Sequence, residues 1–490
     1  MESYIVMKRK KRYKIGLVDA DLLCNGTRHP NLALLKIAGY LRDNGFKRME
    51  HGLGITDCSY YKFITTDCNF DELHVFDHIY VSCVFTFTLD KSPAILHFLM
   101  TDERMKKKVH IGGSGSYANL NIDEGFLEAR EADMSSLETD SFLKKFMDKK
   151  TSVNGINMQT QMPDYHLYDE YVSMMEGSKK SPNYYKDYKE YSIGFLTRGC
   201  FRRCPFCINK LEKKVLPYSN LLDFLDNEKD EKGKLKRPYI YLWDDNFLAY
   251  PYWESLLKEL INSGRPFQFR QGLDERIIAQ SKRGEDMARM LANSNYHGDF
   301  IFAFDNWFDR KLIEKALKIW KYYCPKKETK FYLFCGFQQT PNNDKKFQQD
   351  IAQIFMRITI LMRYGCLGYI MRHEDYKKAQ LSNIYVQIAR WCNQPGFYRN
   401  LSFWEYCYKN QTYWEEHTLG IKHVRLKTYD EFIEDLNNGY YNDKKICLTL
   451  KTCHKFLESH NSHKKLFLSF FNLSFKKMIN PSLWERKDNI

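Results

Sequence analysis

The sequence predicts an α/β protein with an N-terminal doubly wound sheet, a second region of βα repeats and a mainly helical C-terminal region. Three observations carry this reading. Short apolar runs of strand type recur between residues 13 and 113 and again between 191 and 371. Helical apolar spacing fills many of the intervals between them. Residues 375–490 lack a clear repeat and hold aromatic-rich helical stretches. At 490 residues the chain has room for two or three domains, each with its own core. With 43% hydrophobic and 16% aromatic residues it is globular rather than disordered.

Tyr13–Val18 reads as a buried strand ending in Asp19 and Asp21, and a loop from Leu22 to Pro30 follows. Asn31–Asn44 has Leu32, Leu35, Ala38 and Leu41 at helical spacing, with Gly45 as the stop. His78–Phe87 and Lys108–Gly113 are further strands. Together they predict an open, Rossmann-like sheet over residues 1–150. Gly112, Gly113 and Gly115 fall beyond a strand's carboxyl end, where such sheets bind ligands, although glycines there also serve a tight turn. Glu176–Asp187, with Gly177, Pro182 and several lysines, reads as a linker within residues 151–190.

From Tyr191 onward, strand-like segments recur at βα spacing. They are Tyr191–Leu196, Tyr239–Trp243, Phe267–Arg270, Phe300–Phe304, Phe331–Phe334 and Leu367–Met371. Tyr252–Ser263 and Arg310–Tyr323 show helical patterns between them. In residues 375–490, Asn383–Arg390 and Phe403–Tyr408 look helical, and the region reads as a cap or specificity element.

Cys200, Cys204 and Cys207 are spaced C-x3-C-x2-C directly after the first of these six strands. Thiolates so clustered suit a metal or iron–sulfur centre, and three protein ligands leave one coordination position open. A structural zinc site needs a fourth ligand, yet no second cysteine or histidine pair lies nearby, and His166 and His297 are isolated. The 14 cysteines form no regular disulfide framework.

The run Tyr191–Asn209 resembles the radical S-adenosylmethionine (SAM) superfamily. The resemblance implies that Cys200, Cys204 and Cys207 hold a [4Fe–4S] cluster whose open iron chelates the amino and carboxylate groups of SAM. One electron then cleaves SAM to a 5′-deoxyadenosyl radical that abstracts hydrogen from a substrate. Phe206 matches the aromatic residue that precedes the third cysteine in that family. The six repeats over 191–374 match its partial (β/α)6 barrel, which places chemistry at the strand carboxyl ends.

The N-terminal region resembles the cobalamin-binding-like domain of one branch of that superfamily. Gly112-Gly113 matches the late glycine motif, and residues 162–169 are similar to the segment entering the barrel. Cobalamin is therefore a candidate cofactor. The D-x-H-x-x-G signature is absent, because the corresponding loop reads Asp-Ala-Asp-Leu-Leu-Cys-Asn-Gly, and a repurposed, cobalamin-free domain is expected.

At the ends of the barrel strands, Asp244, Asp245 and Asn246 resemble the Asp-Asp-x-Phe run of the same branch. They can accept hydrogen bonds from the SAM ammonium or simply cap a turn. Gln271 suits a carboxylate or ribose, and Arg270 or Arg276 suits the SAM carboxylate, unless Arg276 lies on a helix surface. Asp305 is placed for the ribose hydroxyls or for a helix N-cap. Gly336 would let backbone approach the adenine. Arg372, His373 and Glu374 are candidate substrate contacts or a salt-bridged surface turn, and no residue is assigned as catalytic. Cys335 and Cys366 lie near strand ends. Cys392, Cys407, Cys447 and Cys453 read as small buried hydrophobes rather than an auxiliary cluster.

The net charge of +14 includes basic runs at Lys8–Arg12, Lys106–Lys108 and Lys464–Lys465. These fit a solvated surface, or nucleic acid as partner. The alternative function is accordingly a non-catalytic iron–sulfur protein that binds nucleic acid. No apolar run suits a bilayer and the first residues lack a signal-peptide core, so no membrane partner and a reducing cytoplasm are expected. The resemblance further implies an electron donor such as a flavodoxin or ferredoxin. Neither the substrate nor the final reaction is readable.

Overall fold

The computed structural model describes residues 12–50, 58–65, 69–84, 94–112, 158–177, 184–207, 213–442 and 444–485. Gly113, Gly115, Phe85–Phe87, Pro182 and Lys8–Lys11 lie outside these residues. The chain forms two compact units, Met1–Arg198 with Cys207–Trp243, and Gly199–Phe206 with Asp244–Ile490. Both combine parallel strands with helices.

In the first unit β1 (Lys14–Asp19) is the central strand of a parallel sheet. Its companions are β2 (Lys47–Arg48), β3 (Tyr60–Phe63), β4 (His78–Ser82) and β5 (Val109–Gly112), in the order β2-β3-β1-β4-β5. Ile15, Leu17 and Val18 are wholly buried, as a strand covered on both faces requires. Strands β2 and β3 are too short for a sequence period to reveal.

The helix Leu32–Asp43 starts because the Asn31 side chain accepts a hydrogen bond from Leu34 N (3.3 Å). It is followed by Gly45 at φ +81°. Leu34, Leu35, Ala38 and Leu41 form its buried face, clustered with Tyr165, Tyr168, Tyr185 and Tyr188. Tyr185 falls in the stretch read as a linker, where burial of its ring outweighs the polar composition around it. A second cluster holds Val18, Ile64, Ile79, Val81, Leu96 and Met105. In the same unit β6 (Tyr191–Gly194) pairs in parallel with β9 (Tyr239–Leu242). The two-residue strands β7 (Thr197–Arg198) and β8 (Leu216–Pro217) pair antiparallel.

In the second unit β11 (Phe300–Ala303), β12 (Thr329–Cys335) and β13 (Leu367–Arg372) form a parallel sheet in chain order. The segment following β10 (Phe267–Phe269) runs beside β11, with Leu273 N donating to Ile301 O (2.8 Å). Helices Trp253–Asn262, Gly284–Ala292, Arg310–Tyr323 and Asp344–Arg363 alternate with these strands. Arg310–Tyr323 buries Ile313, Ala316, Leu317 and Trp320, the stripe its spacing predicts.

Beyond β13 the chain is helical, in Asn383–Cys392, Phe403–Leu419, Tyr429–Asn437, Leu448–Ser459 and Lys464–Phe471. Phe403–Leu419 opens on a Ser402/Glu405 capping box and closes at Gly420, φ +69°. It runs 11 residues past the expected Tyr408, because Gln411 and Glu415 break the apolar pattern yet are themselves buried. Cys392, Cys407 and Cys453 are buried among these helices, the environment expected of small hydrophobes. Among the described residues no helix is long and apolar enough to cross a membrane.

Candidate functional site

The carboxyl ends of the second unit's strands meet the cysteine-bearing loop Gly199–Phe206. Four contacts of the loop show how it is held. Gly199 N donates to Asp245 Oδ2 (2.8 Å). Arg202 Nε donates to Asp274 Oδ2 (2.6 Å), and its Nη2 reaches Gln280 Oε1 (2.8 Å). The Phe206 ring stacks on Phe334 at the end of β12, with centroids 3.8 Å apart. Gly199 takes φ +102°, a conformation open to glycine. Arg203 at φ +48° and Gln338 at φ +52° are the only other residue types so placed among the described residues, and both sit in loops of this region.

Two N–H groups are aimed at the sulfur of Cys200. It receives Arg202 N at 3.4 Å and Asn246 Nδ2 at 3.3 Å. Such donors suit a sulfur that ligates metal, where they orient it and offset part of its charge. Cys204 is half-buried in the same loop, and Cys207, also half-buried, belongs to the first unit. Among the described residues no three Cys, His, Asp or Glu side chains gather as ligands of a single metal ion.

Asp244 and Asn246 are buried and Asp245 is half-buried, so this triplet is built into the protein rather than set on its surface. Asp274, after β10, bridges two guanidiniums, taking Arg202 Nε on Oδ2 and Arg276 Nε on Oδ1, each at 2.6 Å. Arg276 continues to Asp309 Oδ2 (2.7 Å). Arg276, offered by the sequence with Arg270 for a ligand carboxylate, is thereby engaged by two protein carboxylates. Gln271 is exposed.

Asp305 follows β11 and accepts Phe334 N on Oδ1 (3.2 Å). The adjoining helical turn is capped instead by Asn306, which accepts Phe308 N, so the N-cap role passes to the neighbour. Desolvation pushes the Asp305 carboxyl up to about 6, against the pull of the Arg357 guanidinium. Arg357 is itself buried and donates to the carbonyls of Phe304 (2.8 Å), Asp305 (3.0 Å) and Phe334 (3.0 Å), fixing the ends of two strands. Glu275 is 1% exposed, and burial drives its carboxyl well above the usual range.

Gly336 takes φ +76°, and a Cβ there would come within 2.6 Å of Tyr376 Cβ. Its N–H is already given to Asp350 Oδ2 (2.7 Å), which also accepts Tyr385 OH (2.7 Å). His373 caps the turn Glu374–Lys378 and lies 5.0 Å, ring to ring, from Phe337. Arg372 covers the Tyr376 ring at 4.7 Å.

Sequence reasoning missed Arg202, Asp274, Asp309, Phe334 and Arg357. Arg202 lay inside the cysteine run, and Asp274-Glu275-Arg276 was a charged triplet after a strand, so both carried a signal. Arg357 sits on the apolar stripe of its helix with Ile354, Ile358 and Leu361, where an arginine is itself the anomaly.

In the first unit the polar residues that follow β1 are engaged within the protein. Ala20–Asn25 is helical, and Asp19 caps it through Leu22 N while accepting Tyr168 OH (2.8 Å). Asp21 accepts Val84 N (2.6 Å), and the nearest histidine in sequence, His29, pairs with Asp187. Burial lifts Asp19 to about 7. No protein-family model matches the chain. No curated protein matches it either.

Proposed function

We propose that the chain is a radical SAM enzyme, with Cys200, Cys204 and Cys207 as the ligands of a [4Fe–4S] cluster. One observation carries the reading: the sulfur of Cys200 receives two N–H donors in a loop fastened to strand-end carboxylates and a strand-end aromatic ring. A cubane is ligated at separate irons, so its thiolates stand farther apart than ligands that share one ion. When bound, the cluster supplies the electron that cleaves SAM.

The chain's own residues supply position and electrostatics. Asp274, between Arg202 and Arg276, fixes the loop. Asp244, Asp245 and Asn246 offer acceptors to an ammonium group, and Asp305 offers a carboxyl to ribose hydroxyls. Phe206 and Phe334 wall the loop with apolar surface. On this reading the first unit's sheet is Rossmann-like and residues 191–374 carry the six repeats of a partial (β/α)6 barrel. A flavodoxin or ferredoxin delivers the electron in a reducing cytoplasm, and a repurposed first-unit sheet is favoured over a cobalamin-binding one.

The test is anaerobic reconstitution with iron and sulfide. Wild-type protein is expected to gain the visible absorption of a [4Fe–4S] cluster, and Cys204→Ala to lose it. A variant that keeps the same iron content and absorption as the wild type removes the assignment.

A further inference from the structure

We infer that Asn246 is a positioning residue whose side-chain N–H tunes the sulfur of Cys200, raising the reduction potential of the cluster proposed there. The inference rests on the radical SAM reading and adds to it a role for one side chain.

The geometry is specific to this amide. Asn246 is 2% exposed, and its Nδ2 lies 3.3 Å from Cys200 Sγ and 3.4 Å from Asp274 Oδ2. Which end of an amide is nitrogen follows from its neighbours. Here both neighbours are acceptors, and Asp274 is fixed in place by the guanidiniums of Arg202 and Arg276 at 2.6 Å each. Turning the amide over would set its oxygen against a carboxylate oxygen, so the network holds N–H toward the sulfur.

The other end of the same amide is left open by the protein. Among the described residues, Asn246 Oδ1 is buried without a hydrogen-bond partner. A buried acceptor left open costs stability, and the protein accepts that cost while keeping the nitrogen on the sulfur. A leucine of similar size would avoid the cost, so the amide is retained for its polar atoms, the oxygen left for the ammonium group and the nitrogen held on the sulfur.

Hydrogen bonds to the sulfurs are among the features that set an iron–sulfur potential. A donor stabilises the more negative, reduced state, so removing it lowers the potential. Asn246→Leu removes the donor and keeps approximate shape. The expected loss is about tenfold in the reduction equilibrium, which is about 59 mV for a one-electron couple.

The experiment is an EPR-monitored redox titration of reconstituted wild-type protein and Asn246→Leu. It is joined by pulsed EPR on reduced wild-type protein labelled with 15N in asparagine side chains. The inference predicts a lower midpoint in the variant and a 15N coupling in the labelled wild type. An unchanged midpoint overturns it. If the variant fails to fold, the labelled wild type decides alone, and absence of asparagine 15N coupling overturns the inference. A wild-type protein that assembles no cluster sinks the underlying reading instead, so the two failures are distinguishable.

Discussion

Asp274→Asn isolates what holds the cysteine loop in place. The carboxylate takes one guanidinium on each oxygen at 2.6 Å, and the side chains of Asp274, Arg202 and Arg276 are 9%, 17% and 18% exposed. Exposure that low leaves solvent screening modest. Hydrogen bonds involving charged groups contribute about 1.5–3 kcal/mol each. Asparagine keeps one neutral acceptor and turns an N–H toward the other guanidinium. The net loss is then about 2–4 kcal/mol, most of it the penalty of a cation left unpaired. At 1.4 kcal/mol per decade, the lower bound is roughly a 30-fold rise in the local opening equilibrium. Hydrogen–deuterium exchange of peptides spanning residues 199–206 reads that equilibrium directly. Peptides from β4 in the first unit serve as the internal control. Protection of 199–206 unchanged within about threefold would refute the claim that this bridge fastens the loop.

Two further perturbations test the frame and the first unit. Gly336→Ala places a side chain at φ +76° and a Cβ within 2.6 Å of Tyr376, so something must shift. At about 1–2 kcal/mol for the backbone alone, a thermal midpoint lowered by several degrees is expected, and an unchanged midpoint contradicts it. His166 lies between Asp169 Oδ2 (2.6 Å) and Glu228 Oε2 (2.7 Å), and its pKa is raised above the ordinary 6.5, first by the Asp169 hydrogen bond. A raised folded-state pKa gives stability that is full below the ordinary value and lost as pH rises through the folded one. With the imidazole about a third exposed, the effect is under about 1 kcal/mol. Thermal midpoints of wild type and His166→Gln should differ most at acid pH and converge above neutrality, and parallel curves would contradict this.

The strands were the most legible part of the fold. The expected strands are present within one or two residues of their predicted ends, except that β4 stops at Ser82 where the expected run continues to Phe87, beyond the described residues. The other exceptions have physical causes. β2 and β3 are too short for periodicity, and Phe403–Leu419 continues through polar residues that are buried by tertiary contacts. In the site, the cysteine spacing and Asp244-Asp245-Asn246 were visible as local patterns. Their partners were not, since Asp274 meets Arg202 across 72 residues, and no local period encodes such a pairing. Arg276 shows the complementary case. Its residue type suited a ligand carboxylate, but protein carboxylates on both sides already engage it.

The most direct measurement is SAM cleavage by the anaerobically reconstituted, chemically reduced protein. The account predicts that 5′-deoxyadenosine accumulates with wild-type protein and is lost in Cys200→Ala, Cys204→Ala and Cys207→Ala alike. A reduced, cluster-loaded wild-type protein that releases none, or a cysteine variant that releases as much as wild type, would contradict it.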